Sequence, residues 1–336
     1  MKKSILLIGG AGYIGPVVAR DLLSQGYYVT CFDNLIYGNT IGVLGLIDQK
    51  KYRFISGDLC DKKDLDRALE GITDVVILGG LVGDPITKKF PIESNLINEI
   101  GIQNCIRSLN GKRLDQVILI STCSNYGIIP LNELANEETK LTPLSLYAKS
   151  KVNAEILLLN QNSEIDYTPT VLRFATAFGV APRMRFDLTI NEFVSELYSK
   201  RELLVFDPDT WRPYCHVSDF ALMISKVLIS PKEKVHFNIF NVGSEENNYT
   251  KRQLINLIQQ KLPQTKVRYL DNGTDPRNYM VSFVKSKEVL GFEAKTSIWK
   301  GIEEIIETLD QGLFADRHEN TNYYGNFYLK YAQNEK

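Results

Sequence analysis

The stretch SILLIGGAGYIG, residues 4–15, decides the fold of this chain. Five mainly apolar residues end in a glycine-rich turn, and an amphipathic segment follows from residue 13. Gly9 permits a tight turn after a strand, Gly12 lets the backbone approach a diphosphate, and Gly15 allows strand and helix to pack closely. The helix N-terminus adds free N–H groups and a positive dipole. This strand, turn and helix together predict a dinucleotide-binding unit.

The rest of the first two thirds alternates short apolar runs with amphipathic segments. Strands are predicted at residues 4–8, 28–32, 52–55, 74–78, 116–121 and 170–174, and helices at 13–24, 62–70, 92–109 and 144–159. Strands that alternate with helices at this spacing indicate βαβ units. Because their crossovers are right-handed, we expect an α/β fold with a doubly wound (Rossmann) parallel sheet. Its ligand should lie at the carboxyl ends of the strands.

A second lobe is predicted after residue 180, where this alternation loosens. Helices at 188–199, 251–260 and 298–309 and a strand at 203–206 follow, and an apolar strand at 237–242 is expected to return to the main sheet. We assign residues 1–180, with a return segment at about 213–243, to a Rossmann domain. Residues 181–212 and 244–320 form a smaller, interleaved substrate-binding lobe in this interpretation. Residues 321–336 are polar and rich in Tyr and Asn, and we assign them no role.

The composition disfavours several classes of function. The 336 residues carry 39 Lys plus Arg against 40 Asp plus Glu, a formal net charge of -1, which disfavours nucleic acid and anionic membranes as partners. Five scattered Cys without CxxC spacing and three unclustered His predict neither disulfides nor a metal site. The apolar start stops after five residues, too soon for a signal peptide or a membrane span. We expect a cytoplasmic protein.

Asp33 is the second feature of the predicted dinucleotide site. It ends the second strand, where a carboxylate accepts hydrogen bonds from the adenosine ribose hydroxyls and repels a 2′-phosphate. This position favours NAD over NADP as the cofactor. Asp58, after the third strand, is placed to meet the adenine, and a helix N-cap is the alternative for it.

Tyr147 and Lys151 form the predicted catalytic pair. The sequence YAKSK at 147–151 places them at i and i+4, on one face of a helix. A nearby ammonium and an oxidised nicotinamide favour the phenolate and lower the pKa of a tyrosine from its usual ~10. Tyr147 can then exchange a proton with a carbinol while hydride moves to or from the cofactor. The segment STCSNYG at 121–127 leaves the fifth strand where substrate is expected.

Together these motifs resemble the extended short-chain dehydrogenase/reductase family, in its nucleotide-sugar epimerase and dehydratase branch. The resemblance covers residues 3–301 and rests on the glycine motif, Asp33, Asp58, Asn98, Thr122, Tyr147, Lys151, RF at 173–174, RPYCHV at 212–217 and Arg277. It implies that Thr122 binds the sugar hydroxyl being oxidised, and that Arg212 and Arg277 hold the substrate diphosphate. The stretches LGGLVGDP at 78–85 and PRMRFDL at 182–188 are similar to a subgroup acting on nucleotide-linked deoxy- or heptose-type sugars.

The resemblance also implies a full set of site residues and an assembly. Catalysis is expected from Thr122, Tyr147 and Lys151. Cofactor contacts are expected from Gly9, Gly12, Tyr13, Ile14, Gly15, Asp33, Asn34, Asp58, Leu59, Asn98, Tyr147 and Lys151, and substrate contacts from Val82, Thr122, Ser124, Thr176, Arg185, Asn191, Arg212 and Arg277. A homodimer is expected, in which helices 92–109 and 144–159 of both subunits form a four-helix bundle.

The two residues after Thr122 restrict the expected reaction. The 4,6-dehydratases of the family carry Asp and Glu there, and its decarboxylases keep the Glu, whereas this chain has Cys123 and Ser124. A dehydratase is disfavoured because neither residue readily eliminates water. We therefore expect an epimerase that transfers hydride at a sugar carbon, usually C4, through a keto intermediate. A nucleotide-sugar 4-dehydrogenase or 4-ketoreductase is the alternative, and a catalytically idle NAD-binding regulator is the third possibility.

Four residues have competing interpretations. Cys123 is a candidate nucleophile, but no histidine adjoins it and buried cysteine is common, so a packing role is favoured. For His216 a structural hydrogen bond is favoured over metal binding. Arg183 and Arg185 either reach the substrate or form surface salt bridges.

Overall fold

The computed structural model describes residues 3–160, 165–271, 273, 275–329 and 331. Its strands are β1 (Ser4–Ile8), β2 (Tyr28–Asp33), β3 (Tyr52–Ser56), β4 (Asp74–Ile77), β5 (Gln116–Thr122), β6 (Leu134–Ala135), β7 (Thr168–Phe174), β8 (Thr176–Phe178), β9 (Leu203–Phe206), β10 (Trp211–His216), β11 (Asn238–Val242), β12 (Asn248–Thr250), β13 (Val267–Leu270) and β14 (Met280–Val281). Its α-helices are α1 (Gly15–Ser24), α2 (Ile41–Leu44), α3 (Lys62–Ala68), α4 (Asp84–Lys89), α5 (Pro91–Ser94), α6 (Ile102–Ser108), α7 (Leu146–Leu159), α8 (Thr189–Tyr198), α9 (Val217–Ile229), α10 (Lys232–Val235), α11 (Lys251–Lys261), α12 (Val284–Leu290) and α13 (Ile298–Asp310).

A parallel sheet of seven strands forms the centre of the molecule. Its order is β11-β7-β5-β4-β1-β2-β3, and every neighbouring pair is parallel. The strand order reverses between β1 and β4, which is the topological switch point of a doubly wound fold. The α/β Rossmann fold predicted from the sequence is therefore confirmed.

Strand β1 shows why helices cover both faces of this sheet. Ile5 and Leu7 belong to the apolar cluster under α1 and α9, whereas Leu6 and Ile8 belong to the cluster under α3, α6 and α7. All four side chains are fully buried. A strand that is apolar on both faces is typical of a parallel sheet whose crossovers place helices on each side.

A third apolar cluster lies outside the main sheet. It joins α8, α11 and α13 to the short strands β8, β9 and β10. Strand β11 returns to the main sheet beside β7, as predicted for residues 237–242, but β10 pairs with β8 and β12 in a separate sheet. The predicted bounds of the two lobes stay a prediction.

The helix predicted at residues 92–109 is interrupted. A π-helical segment, Asn95–Gly101, separates α5 from α6. Asn98 lies in this wider turn, donates to the Leu81 carbonyl at 2.9 Å and accepts from the Leu81 N–H at 2.7 Å. The segment thus anchors the loop after β4, a use that is common for π-helical turns near functional sites.

None of the helices in the described part of the chain is long and apolar enough to cross a membrane.

The close approach of strand and helix at Gly15 gives a stability prediction. A Cβ added there would lie 2.1 Å from the Gly10 carbonyl oxygen, so Gly15→Ala should lower the free energy of unfolding by about 1–3 kcal/mol. Gly45→Ala is the matched control, because its Cβ would meet no atom closer than 3.4 Å. Denaturant unfolding of the two variants measures the difference, and equal stability would contradict the proposed packing.

Candidate active site

A cavity of about 360 Å³ opens at the switch point of the sheet. It is lined by Gly9 and Gly12 after β1, by Gly79 and Gly80 after β4, and by Thr122 at the end of β5. The predicted cofactor, catalytic and diphosphate-binding groups all border this one cavity, except for two asparagines described below.

The glycine turn leaves room for a dinucleotide. Gly9 has a φ of 77°, and a Cβ there would lie 2.4 Å from the Cα of Gly79, so only glycine allows the two loops to touch. At Gly12 an added Cβ would meet only the Gly9 carbonyl oxygen, at 3.5 Å, so its backbone borders open space. The cradle therefore fits the diphosphate of NAD.

Asp33 is held rigidly at the edge of this cradle. Its carboxylate accepts hydrogen bonds from the N–H groups of Ala11 at 3.0 Å and Leu35 at 2.8 Å. Burial nevertheless raises the pKa of Asp33 above its ordinary value. Asn39, which sequence reasoning missed, donates to the Ala11 carbonyl and also lines the cavity. The position of Asp33 fits the predicted contact with ribose hydroxyls.

Asp58 lines the cavity, but its carboxylate already has two partners. One oxygen accepts from the Cys60 N–H at 2.9 Å and the other from the Tyr331 hydroxyl at 2.7 Å. The alternative of a helix N-cap is wrong, because α3 is capped by Asp61, which accepts from the Lys63 N–H at 2.8 Å. A residue of the unassigned C-terminal region therefore reaches the predicted adenine position.

The catalytic candidates meet where β5 ends and α7 begins. Thr122 and Ser124 share a hydrogen bond of 2.6 Å between their hydroxyl oxygens, and the Lys151 ammonium donates to the Ile120 carbonyl at 2.8 Å. The Lys151 nitrogen lies 6.0 Å from the centre of the Tyr147 ring. Thr122, Ser124, Tyr147 and Lys151 all line the cavity.

The pKa of Tyr147 lies above its ordinary value in the folded protein. Burial and the nearby Asp84 carboxylate raise it, against smaller opposite effects of Arg185 and Arg277. Burial also lowers the pKa of Lys151 to about 8, an effect that Glu155 opposes. The phenolate that we expected from the sequence therefore requires positive charge in addition to that of the protein.

An ion pair fixes α7 behind these residues. Glu155 accepts from the Nη2 of Arg173 at 2.7 Å, and both side chains are buried. Glu155 also accepts from Ser121 and, at 2.8 Å, from Asn125. The pair thus connects α7 with β5, β7 and the segment after Thr122.

The other end of the cavity holds two arginines between two carboxylates. Arg277 binds both oxygens of Asp275 at 2.7 Å, and Arg212 binds Asp275 at 3.1 Å. Arg277 also binds Asp84 at 2.7 Å. Burial would raise the pKa of Asp275, but its hydrogen bonds to Arg277 and the charge of Arg212 hold it below its ordinary range. Lys251 adds a further positive group to the lining.

Sequence reasoning found the arginines of this end but missed their partners. Asp84 lies within the stretch at 78–85, to which we assigned only a resemblance to a family subgroup. Asp275 lies two residues before Arg277. The short Asp-x-Arg spacing of residues 275–277 is the signal that could have indicated the pair. Tyr279 also lines the cavity, and its ring centre lies 5.2 Å from the guanidinium carbon of Arg212.

Two predicted contact residues do not line the cavity. Asn98 anchors Leu81, as described above, and Asn191 donates to the Arg185 carbonyl at 2.9 Å and accepts from the Gly179 N–H at 3.0 Å. Both side chains are buried and hydrogen-bonded to protein groups behind the cavity wall. The other predicted residues that line it are Tyr13, Ile14, Gly15, Asn34, Leu59, Val82 and Thr176.

Arg183 and Arg185 are not surface residues. They are 2% and 5% exposed, which excludes the alternative of surface salt bridges, and both line the cavity. Arg185 makes a bidentate pair with Asp187 at 2.9 and 2.6 Å. Arg183 donates to the Gly325 carbonyl and to the Asn326 side chain.

The favoured interpretations of Cys123 and His216 agree with the structure. Cys123 is buried, its thiol contacts the Arg173 carbonyl at 3.2 Å, and burial raises its pKa, so it is a poor nucleophile. His216 shares hydrogen bonds of 2.7 Å with Ser218 and Glu304. In the part of the chain that the structure describes, no three His, Cys, Asp or Glu residues cluster as metal ligands would.

A family model described as the NAD dependent epimerase/dehydratase family matches residues 5–243. The chain belongs to this family, and NAD is its cofactor.

Individual relatives are distant but match over nearly their full length. A UDP-glucuronate 4-epimerase of Thermodesulfobacterium geofontis is 26% identical over 315 residues, which cover 90% of this chain and 94% of that protein. A dTDP-glucose 4,6-dehydratase of Streptomyces niveus is 27% identical over 320 residues, or 90% of this chain and 91% of that protein. The solved structure of a UDP-glucuronic acid 4-epimerase from Bacillus cereus has a TM-score of 0.84 at 22% identity, covering 92% of this chain and 99% of that one. The likeness between the solved structure and this chain shows the shared fold.

The buried ammonium of Lys151 gives a pH-dependent prediction. An unfolded lysine keeps its proton up to about pH 10.5, whereas Lys151 in the folded protein loses it near pH 8. Because the unfolded state binds more protons between these values, this lysine destabilises the fold most below pH 8. The gain in melting temperature from Lys151→Met should therefore shrink as the pH rises from 7 to 10.

The exposed Lys149 on the same helix supplies the control, since Lys149→Met removes a lysine without relieving the burial of an ammonium group. A constant difference between Lys151→Met and the wild type over the same range would show that the Lys151 ammonium is not destabilised by burial.

Proposed function

We propose that the protein is an NAD-dependent nucleotide-sugar epimerase. The carbon that it inverts in this proposal is C4 of the sugar. The observation that carries this proposal is that Thr122, Tyr147 and Lys151 share one cavity with Arg212 and Arg277. A cofactor-binding regulator needs no proton-transfer group at the nicotinamide end and no guanidinium pair for a diphosphate. The names of several relatives, such as UDP-glucuronate 4-epimerase, support the same class of substrate.

In this proposal one residue of the protein transfers the proton, and the others position the substrate. NAD, when bound, supplies the acceptor and later the donor of a hydride. Tyr147 takes the proton of the sugar hydroxyl, and Thr122 donates a hydrogen bond to that oxygen. Arg212 and Arg277 hold the diphosphate, so that the sugar ring reaches Tyr147. Once the keto sugar presents its other face to the hydride that NAD would supply, Tyr147 returns the proton to the same oxygen, and the carbon is inverted.

Cys123 and Ser124 favour epimerisation over elimination of water. Dehydration needs an acid and a base beside the reacting carbons. Burial raises the pKa of the Cys123 thiol, and the Ser124 hydroxyl is hydrogen-bonded to Thr122, so neither side chain replaces the acid and base of a dehydratase. A dehydratase is among the relatives, and the reaction assay must therefore include dehydration as an outcome. The alternative function is a 4-dehydrogenase or 4-ketoreductase on the same substrates.

The reaction is identified by incubation with a panel of UDP, GDP, dTDP and CDP sugars. Product stereochemistry by NMR and NADH absorbance are followed together. An inverted product without net NADH supports the epimerase. A keto product with stoichiometric NADH supports the dehydrogenase, and a 4-keto-6-deoxy product supports the dehydratase.

Tyr147→Phe tests the role of the phenol directly. Loss of a general acid–base group typically lowers turnover by about 10²–10⁴-fold, so we expect a decrease in kcat of that size. Binding of NAD and of the nucleotide sugar, measured by calorimetry, should remain. Full turnover by Tyr147→Phe would contradict the mechanism.

We also infer a homodimer through α5, the π-helical segment, α6 and α7. Ile92, Ile100 and Ile156 on these elements are 72%, 47% and 52% exposed, so large apolar side chains face outward there. Light scattering should give twice the chain mass of 38.1 kDa, and Ile156→Asp should reduce it to the chain mass. Ile229→Asp, on the exposed end of α9, is the control and should stay dimeric. A mass of 38.1 kDa for the wild type would exclude the dimer.

Cytoplasmic location stays a prediction.

A further inference from the structure

The C-terminal region makes specific contacts across the active-site cavity. After α13 the chain packs against the second lobe, where Phe186 lies against Phe314 and Tyr324 with ring centres 5.7 and 6.1 Å apart. The Phe186 N–H donates to the Tyr324 carbonyl at 2.7 Å. The residues that follow, 325–329 and 331, leave this lobe, and we name them the C-terminal strap.

Asn326 fixes the start of the strap to two residues of the cavity wall and to Asp187 beside it. Its N–H donates to Asp187 at 3.1 Å, its side-chain amide donates to the Val82 carbonyl at 3.0 Å, and its side-chain oxygen accepts from Arg183 at 2.9 Å. The side chain is 5% exposed and lines the cavity. Asn326 therefore hydrogen-bonds to residues of both lobes and forms part of the cavity wall.

The strap also positions Arg183 at the cofactor end. The guanidinium of Arg183 lies 4.8 Å from the centre of the Tyr37 ring, and its positive charge acts on Asp33, the predicted ribose-binding residue. Gly325 and Asn326 accept the hydrogen bonds that orient this guanidinium. Loss of the strap would therefore change the wall beside Asp33.

The far end of the strap is fastened to the Rossmann sheet. Leu329 is buried among Leu81, Ile86 and Ile97 of the loop and helices after β4. Tyr331 donates its hydroxyl to Asp58 at 2.7 Å, beside the predicted adenine position. The strap thus runs from the second lobe over the cofactor end of the cavity to β3, with one apolar anchor and hydrogen bonds at both ends.

We propose that the C-terminal strap encloses the cofactor end of the cavity and slows the release of NAD. An epimerase that uses the same NAD as hydride acceptor and donor has to retain it through each turnover, so a fastened wall serves this chemistry. The proposal concerns cofactor binding and does not require that the sugar reaction be epimerisation. The strap must detach from Asp58 and Val82 for NAD to exchange.

The rate of NAD release tests this role. The full-length protein and its variants are loaded with NAD, freed of unbound NAD by desalting, and sampled over time for NAD that remains bound. Asn326→Ala should shorten the half-life of bound NAD at least ten-fold, and Tyr331→Phe should shorten it several-fold. Tyr328→Phe makes the same chemical change on a strap residue whose side chain is 48% exposed, and it should leave the half-life unchanged.

A structural defect is distinguished by the melting temperature of each variant without NAD: the half-lives are compared at a temperature well below all of these melting temperatures, where every variant is folded. A third variant, ending after Tyr324, removes the strap and should release NAD fastest if it folds; the two point variants carry the test if it does not. Wild-type half-lives in both Asn326→Ala and Tyr331→Phe would overturn the proposal. Bound NAD is measured without sugar, so this result would not contradict the proposed sugar reaction. In the same way, a failed sugar assay would not contradict the proposed role of the strap in NAD release.

Discussion

The buried ion pair of Glu155 and Arg173 holds the reacting groups of this protein in register. Its side chains are 3% and 4% exposed, and removing one partner of such a pair typically costs about 3–5 kcal/mol. Glu155 lies one helical turn after Lys151 and two after Tyr147, on the same face of α7. Its bonds to Ser121 and Asn125 connect that face to the segment carrying Thr122. The relative position of base, lysine and threonine therefore depends on a charge pair behind the cavity.

Charge is balanced on the substrate side of the same cavity. Asp275 and Asp84 pair with Arg212 and Arg277, so the four groups together carry no net charge before substrate binds. Asp275 orders both guanidinium groups. Asp84, which is paired with Arg277, also raises the pKa of Tyr147. The charge cluster at this end of the cavity therefore acts on the candidate proton-transfer group.

Local sequence patterns predicted the strands of the main sheet and the short motifs that border the cavity. The apolar runs that form β1 and β9 were predicted to the residue, because glycine or charged residues follow each run directly. The glycine turn, Asp33 and the Tyr147–Lys151 pair were found because each depends on residues close together in the chain. The π-helical turn at Asn98 was missed because apolar periodicity does not report a change of hydrogen-bond register.

Contacts between residues far apart in the sequence could not be predicted from local patterns. Asn326 meets Val82 across 244 positions, and Tyr331 meets Asp58 across 273, and nothing in either local sequence indicates the partner. The raised pKa of Tyr147 was missed for a related reason, since burial and Asp84 act only after the chain has folded. The unassigned C-terminal region therefore gained a role only from the structure.

In the proposed epimerisation, one cavity returns the same hydride to the opposite face of a sugar carbon. The most direct measurement uses the nucleotide sugar that turns over, labelled with deuterium at C4 and incubated with the NAD-loaded protein in ordinary water. We expect an inverted product that keeps the deuterium at C4, with no label in the solvent. Loss of the deuterium to water, or its recovery in released reduced cofactor beside a keto product, would contradict it.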